Sequence, residues 1–130
     1  MEKVTQKHRL GCAVACTAAI LGIKYQEALS LFPNGKERAK TEGFYCKDII
    51  QALHSSGKEY KTKYVRGEIE APLNSIIYVK KSPHYPAGHY LAYGKEGFMD
   101  PWMNFPYYPR LSGFRKVLPD TAQYVVLPRR

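Results

Sequence analysis

Along the first third of the chain the apolar residues do not alternate with polar ones. From Cys12 to Leu21 they are small or apolar all round the helical wheel, the pattern of a helix buried on every side. Gly22 is its natural stop. Tyr25 to Phe32 puts Ala28, Leu29 and Phe32 on one face, and Pro33-Asn34-Gly35 then reads as a turn that ends a second, short helix. Past Thr41-Glu42-Gly43, from Tyr45 onward, Ile49, Ile50 and Leu53 recur at helical spacing up to Ser55-Ser56-Gly57, which predicts a third helix. Beyond Gly57 the period becomes two. Tyr60, Thr62 and Tyr64 alternate with Lys61 and Lys63, and Ser75 to Lys80 is apolar at Ile76, Ile77 and Val79. His89 to Tyr93 and Phe98 to Trp102 flank Gly94-Lys95-Glu96-Gly97, a tight-hairpin sequence, and Gln123 to Leu127 is the last strand. Pro101, Pro106 and Pro109 confine residues 101 to 109 to a loop. Helices first and strands after predict an α+β fold in one domain over residues 1–130, with a helical half to about residue 57 and a sheet half from about 58.

The length of 130 residues is enough for one packed core. At 45% hydrophobic and 13% aromatic the composition excludes a disordered polycation. The longest apolar run, Leu10 to Ile23, is too short for the ~20 residues of a membrane span. It follows Lys7, His8 and Arg9, as the core of a secretory signal would, but Lys24-Tyr25-Gln26-Glu27 comes next instead of a small-residue cleavage pattern. Cys12, Cys16 and Cys46 make an odd count, which favours free thiols and a reducing, cytoplasmic setting, with delivery to another cell as the variant that suits a toxin. A formal charge of +9 attracts acidic partners without naming one.

Cys12 follows Gly11 at the start of the buried helix, where free N–H groups and the helix dipole favour a thiolate. Gln6, six residues upstream, can fold back so that its amide and the backbone N–H of Cys12 together stabilise an oxyanion. A base must come from elsewhere, and the hairpin register selects His89. If Lys95-Glu96 is a two-residue turn, Tyr93 opposes Phe98 and Leu91 opposes Asp100. His89 and Asp100 then share a face as diagonal neighbours. Asp100 would hold the imidazole's tautomer and leave the other nitrogen for Cys12. His84, between Pro83 and Pro86, is the reserve base, in a loop that would wall any site built on His89.

Gln6, the run Gly11-Cys12-Ala13-Val14-Ala15-Cys16, Gly88-His89-Tyr90 and Asp100-Pro101, in this order, resemble the bacteriocin-processing, double-glycine leader peptidases, a papain-like family. The resemblance spans roughly residues 6 to 102. It implies a papain-like cysteine peptidase fold, with Gln6 as oxyanion donor, Cys12 as nucleophile, His89 as base and Asp100 as its partner. It implies a peptide or protein substrate and no cofactor. The family usually carries Asp-Cys-Gly where this chain has Gly11-Cys12-Ala13, and its best-known members are fused to transporters.

Other readings stand beside this one. Cys16, one turn beyond Cys12, is a core residue, a resolving thiol or, with Cys12 and His89, the edge of a metal site, although no close Cys pair or second His at ligand spacing supports a metal. Trp102, Phe105, Tyr107 and Tyr108 either line an apolar subsite or close the core. The basic residues Lys58, Lys61, Lys63, Arg66, Lys80, Lys81, Arg110, Arg115 and Lys116, with 11 tyrosines for stacking, carry the less favoured reading of a nucleic-acid binder or nuclease-like toxin on the same scaffold. A thiol acyltransferase or deamidase would use the same three residues.

Overall fold

The computed structural model describes residues 1–129; Arg130, part of the basic C-terminal pair, lies outside them. Four N-terminal helices pack on a six-stranded antiparallel sheet. The helices are α1 (Cys12–Leu21), α2 (Tyr25–Leu29), α3 (Gly35–Thr41) and α4 (Cys46–Ser55), followed by β1 (Tyr60–Tyr64), β2 (Ile76–Val79), β3 (His89–Gly94), β4 (Gly97–Asp100), β5 (Gly113–Arg115) and β6 (Ala122–Pro128). In space the strands run β1-β6-β2-β3-β4-β5.

Every residue of α1 from Ala13 to Ala19 is buried, so the all-round apolar pattern marks the central helix. Its small side chains let it lie close against β3, and Thr17 satisfies its hydroxyl on the Ala13 carbonyl at 2.8 Å. On the helix side of the sheet, Ile76, Tyr90, Ala92, Met99 and Val126 join α1 and α4 in one core. The other face is covered by irregular chain. Ile77, Ala122 and Val125 pack beneath Val65, Ile69 and Ala71, and Val79, Tyr85 and Leu91 pack beneath Phe105 and Leu118.

The helical half and the sheet half each depart from the sequence reading. Pro33-Asn34-Gly35 does not simply end a helix, because Gly35 begins α3. That helix buries only Gly35 and Ala39, so no apolar stripe announces it. It is fastened instead by Arg38, whose two terminal nitrogens donate to the Asp48 carboxylate at 3.3 and 2.7 Å and whose guanidinium lies 4.8 Å over the Phe44 ring. β5 falls in a stretch for which the sequence predicts no element, and β4 ends at Asp100 rather than Trp102.

The hairpin between β3 and β4 has Gly94 opposite Gly97, Tyr93 opposite Phe98 and Ala92 opposite Met99, the register that parity requires. Just ahead of it, Gly88 has φ +73° and lies against Tyr78, whose hydroxyl donates to the Ala87 carbonyl at 3.0 Å. A Cβ at residue 88 would fall inside the van der Waals envelope of the Tyr78 hydroxyl. Gly88→Ala therefore combines a left-handed backbone penalty with a displaced ring, and should destabilise the fold by about 3 kcal/mol, read as a lower urea midpoint with unchanged slope.

Candidate active site

Cys12 is the first residue of α1. Its N-cap is Gly11, and no side chain caps the helix, so the first N–H groups have neither an intrahelical nor a side-chain partner. Glycine is required at position 11 because a Cβ there would overlap the Tyr25 hydroxyl, which in turn is 2.9 Å from His8 Nδ1. The thiol is partly exposed and lines a cleft of about 790 Å³ between the helical half and the sheet.

His89 begins β3 and is nearly fully buried. Its Nε2 donates to Asp100 Oδ1 at 2.7 Å, which leaves Nδ1 as the ring nitrogen without the carboxylate. The ring is held flat against Tyr85, with centroids 4.7 Å apart and planes within 2°. Burial disfavours a charged ring here. The hydrogen bond to Asp100, the Cys12 thiol as hydrogen-bonding and charged neighbour, and the Asp100 charge outweigh it, raising His89 from 6.5 to about 9.

Asp100 is fully buried and fully engaged. Oδ1 also accepts the Trp102 N–H at 3.0 Å, and Oδ2 accepts Nε of Arg115 at 2.8 Å. Burial would push its carboxyl upward, but the His89 bond and charge, followed by Arg115 and the Trp102 amide, hold it below the usual 3.8. Arg115 is the residue that sequence reasoning misses. It comes from the three-residue β5, and among basic residues spread along the chain nothing marks it as the second partner of a buried carboxylate. Its Nη2 also donates to the Met103 carbonyl at 3.0 Å, pinning the loop after Asp100.

Gln6 reaches the same region, its backbone N–H donating to the Pro101 carbonyl at 3.2 Å. Its side-chain amide is turned inward. Nε2 donates to the carbonyls of His8 and Arg9, both at 3.0 Å, while Oε1 is buried and unpartnered among the described residues. Flipping the amide would set Oε1 against two carbonyl oxygens, so the N–H assignment is fixed by its neighbours. In this arrangement Gln6 braces the turn ahead of α1, and the open donor at Cys12 is the backbone.

The remaining candidates separate. Cys16 is fully buried one turn below Cys12, and burial first, then Cys12 and Asp100, push its thiol well up, so it is a packing residue. Cys46, at the start of α4, lines the cleft, its sulfur 3.7 Å from the Tyr90 hydroxyl. His84 is exposed and packs on Tyr85 and Phe105. Pro86, Ala87 and Gly88 of its loop do wall the cleft, whereas Trp102, Phe105, Tyr107 and Tyr108 do not. Trp102 is core, and Tyr107 and Tyr108 are exposed. Among the described residues no three His, Cys, Asp or Glu side chains cluster to hold a metal, and no helix is long and apolar enough to cross a membrane.

Comparison with protein-family models, with curated proteins and with solved structures returned no match in any of the three.

Proposed function

We propose that the chain is a papain-like cysteine peptidase, of the leader- or processing-peptidase kind, that cleaves a peptide bond through Cys12, His89 and Asp100. One observation carries this reading. The buried Asp100 holds His89 by Nε2, so the imidazole's other nitrogen is free for a thiol that stands at an uncapped helix start beside a cleft. With His89 raised to about 9, the proton that Cys12 gives up already rests on Nδ1 at neutral pH, so the sulfur bonds to the substrate carbonyl carbon as a thiolate, and the oxyanion receives the Cys12 N–H. The C–N bond then breaks, and the amine leaves with the proton from Nδ1. Water, deprotonated by His89, hydrolyses the thioester and restores the thiol. Gln6 joins as a second oxyanion donor only by giving up its bond to His8 or Arg9.

The test is competitive labelling with an iodoacetamide probe from pH 5 to 10, followed by site mapping. Cys12 is expected to react at least about tenfold faster than Cys46 at neutral pH, and Cys16 not at all in the folded protein, since alkylation follows thiolate character and access. Equal rates at Cys12 and Cys46 would remove the activated thiol from the reading.

A further inference from the structure

Four tyrosines stand directly opposite one another on neighbouring strands: Tyr64 on β1 pairs with Tyr124 on β6, Tyr124 with Tyr78 on β2, and Tyr78 with Tyr90 on β3. Their rings touch in sequence, with centroids 5.6, 6.2 and 4.9 Å apart. With strands roughly 4.8 Å apart, the row is on the order of 14 Å long, the span of about four residues of extended chain. It starts at the exposed edge of the sheet, where Tyr64 is 54% exposed, and ends at Tyr90, which is 4% exposed and follows His89 in the chain. Tyr124, Tyr78 and Tyr90 line the same cleft as Cys12 and His89. The inner two hydroxyls are engaged: Tyr90 donates to the Phe44 carbonyl at 3.1 Å, and Tyr78 to that of Ala87.

We infer that this tyrosine row is the specificity subsite of the proposed peptidase, and that it seats about four residues of extended substrate with apolar or aromatic side chains, on one side of the scissile bond. The inference rests on the peptidase reading above. Continuity with Cys12 is its first support, because a peptide lying on the row leads straight to the thiol. The shape of the floor is its second. The rings meet at 44–72°, tilted or edge to face, which makes a corrugated surface with recesses for side chains rather than parallel platforms for bases. Charge at the rim is the third. Lys47 and Lys81 border the cleft, and the one acidic rim residue among the described residues, Glu42, is paired with Arg38 at 3.1 Å. Acidic side chains pointing outward from the bound peptide are thereby favoured.

The test digests a proteome-derived peptide pool with the wild-type protein and with Tyr64→Ser and Tyr64→Ser/Tyr124→Thr variants, mapping every new terminus. Tyr64 is exposed and β-branched Thr suits a strand, so the fold should persist. Iodoacetamide alkylation of Cys12 within about twofold of wild type verifies it. Wild-type cleavage sites should be enriched in apolar and aromatic residues two to four positions from the cut on one side. The single variant should weaken that enrichment and the double variant abolish it, with KM for the best wild-type peptide rising about tenfold and kcat changing less than threefold. Cleavage without positional preference, or a preference that survives the double substitution, overturns the inference alone. No cleavage of any peptide removes the peptidase reading and this inference with it. Tight binding of a labelled thymidine 12-mer that the double substitution abolishes would give the row to nucleic-acid bases instead.

Discussion

Cys12→Ser is expected to lower peptide turnover on the order of 10⁴-fold while the thermal midpoint moves by no more than a few degrees. The two side chains have nearly the same volume, and position 12 is only partly buried, so packing tolerates the exchange. Chemistry does not, because a hydroxyl is far harder to deprotonate and the neighbouring imidazole cannot make up that difference in a site shaped for sulfur. A second readout needs no substrate. The Cys12 thiol is among the groups that raise His89, so Cys12→Ala should lower the titration midpoint of the His89 ring in an NMR pH series. An unchanged midpoint would mean that the thiol and the imidazole do not interact. Cys16→Ser is the comparison: it buries a hydroxyl in the core and should cost stability while leaving Cys12 reactive.

Asp100→Asn should damage both activity and folding. The carboxylate is fully buried and accepts from His89, Trp102 and Arg115 at once. An amide can present one oxygen but not two, so Arg115 or His89 loses its acceptor or faces an N–H. Removing one partner from a buried charged network costs about 3 kcal/mol or more, and turnover should fall at least about 100-fold because the imidazole loses its orientation. The loss of stability should itself depend on pH, with a sign set by the two shifts. Asp100 is held below its usual 3.8, so its contribution is present above that value and disappears as pH falls through the lowered one. His89 is raised above 6.5, so its contribution is complete below 6.5 and disappears as pH rises through about 9. The gap between wild type and Asp100→Asn should therefore be widest between pH 4 and 6.5 and narrow on either side, measured by urea unfolding across pH. A gap independent of pH would mean that the pair is not charged in the folded protein.

Much of this architecture is legible in the chain because its signals are local. The four residues Gly94 to Gly97 determine the hairpin register, and parity alone then brings His89 and Asp100 to one face. The run of small residues in α1 identifies the central helix without reference to anything it touches. Where tertiary contacts decide, the sequence is silent. α3 is held by an Arg38–Asp48 ion pair across ten residues rather than by an apolar stripe, and propensity arguments cannot register it. β5 has three residues, too few for a period, yet it delivers Arg115 to Asp100. The direction of the Gln6 amide depends on where two carbonyls of the following turn fall, which no spacing rule encodes.

The strand order has a consequence for synthesis. β1, the fifth element of the chain, pairs only with β6, the last, and β6 also lies between β1 and β2. While the chain is being made, residues 60–64 have no neighbour to zip onto until residues 122–128 have left the ribosome, and the intervening loop must then close at an entropic cost that grows only slowly with its length. Tyr124, part of the cleft floor, arrives with that same last strand. A nascent chain can thus hold the thiol helix before its cleft has a complete lining, and the cleft is finished only as β6 slots into place.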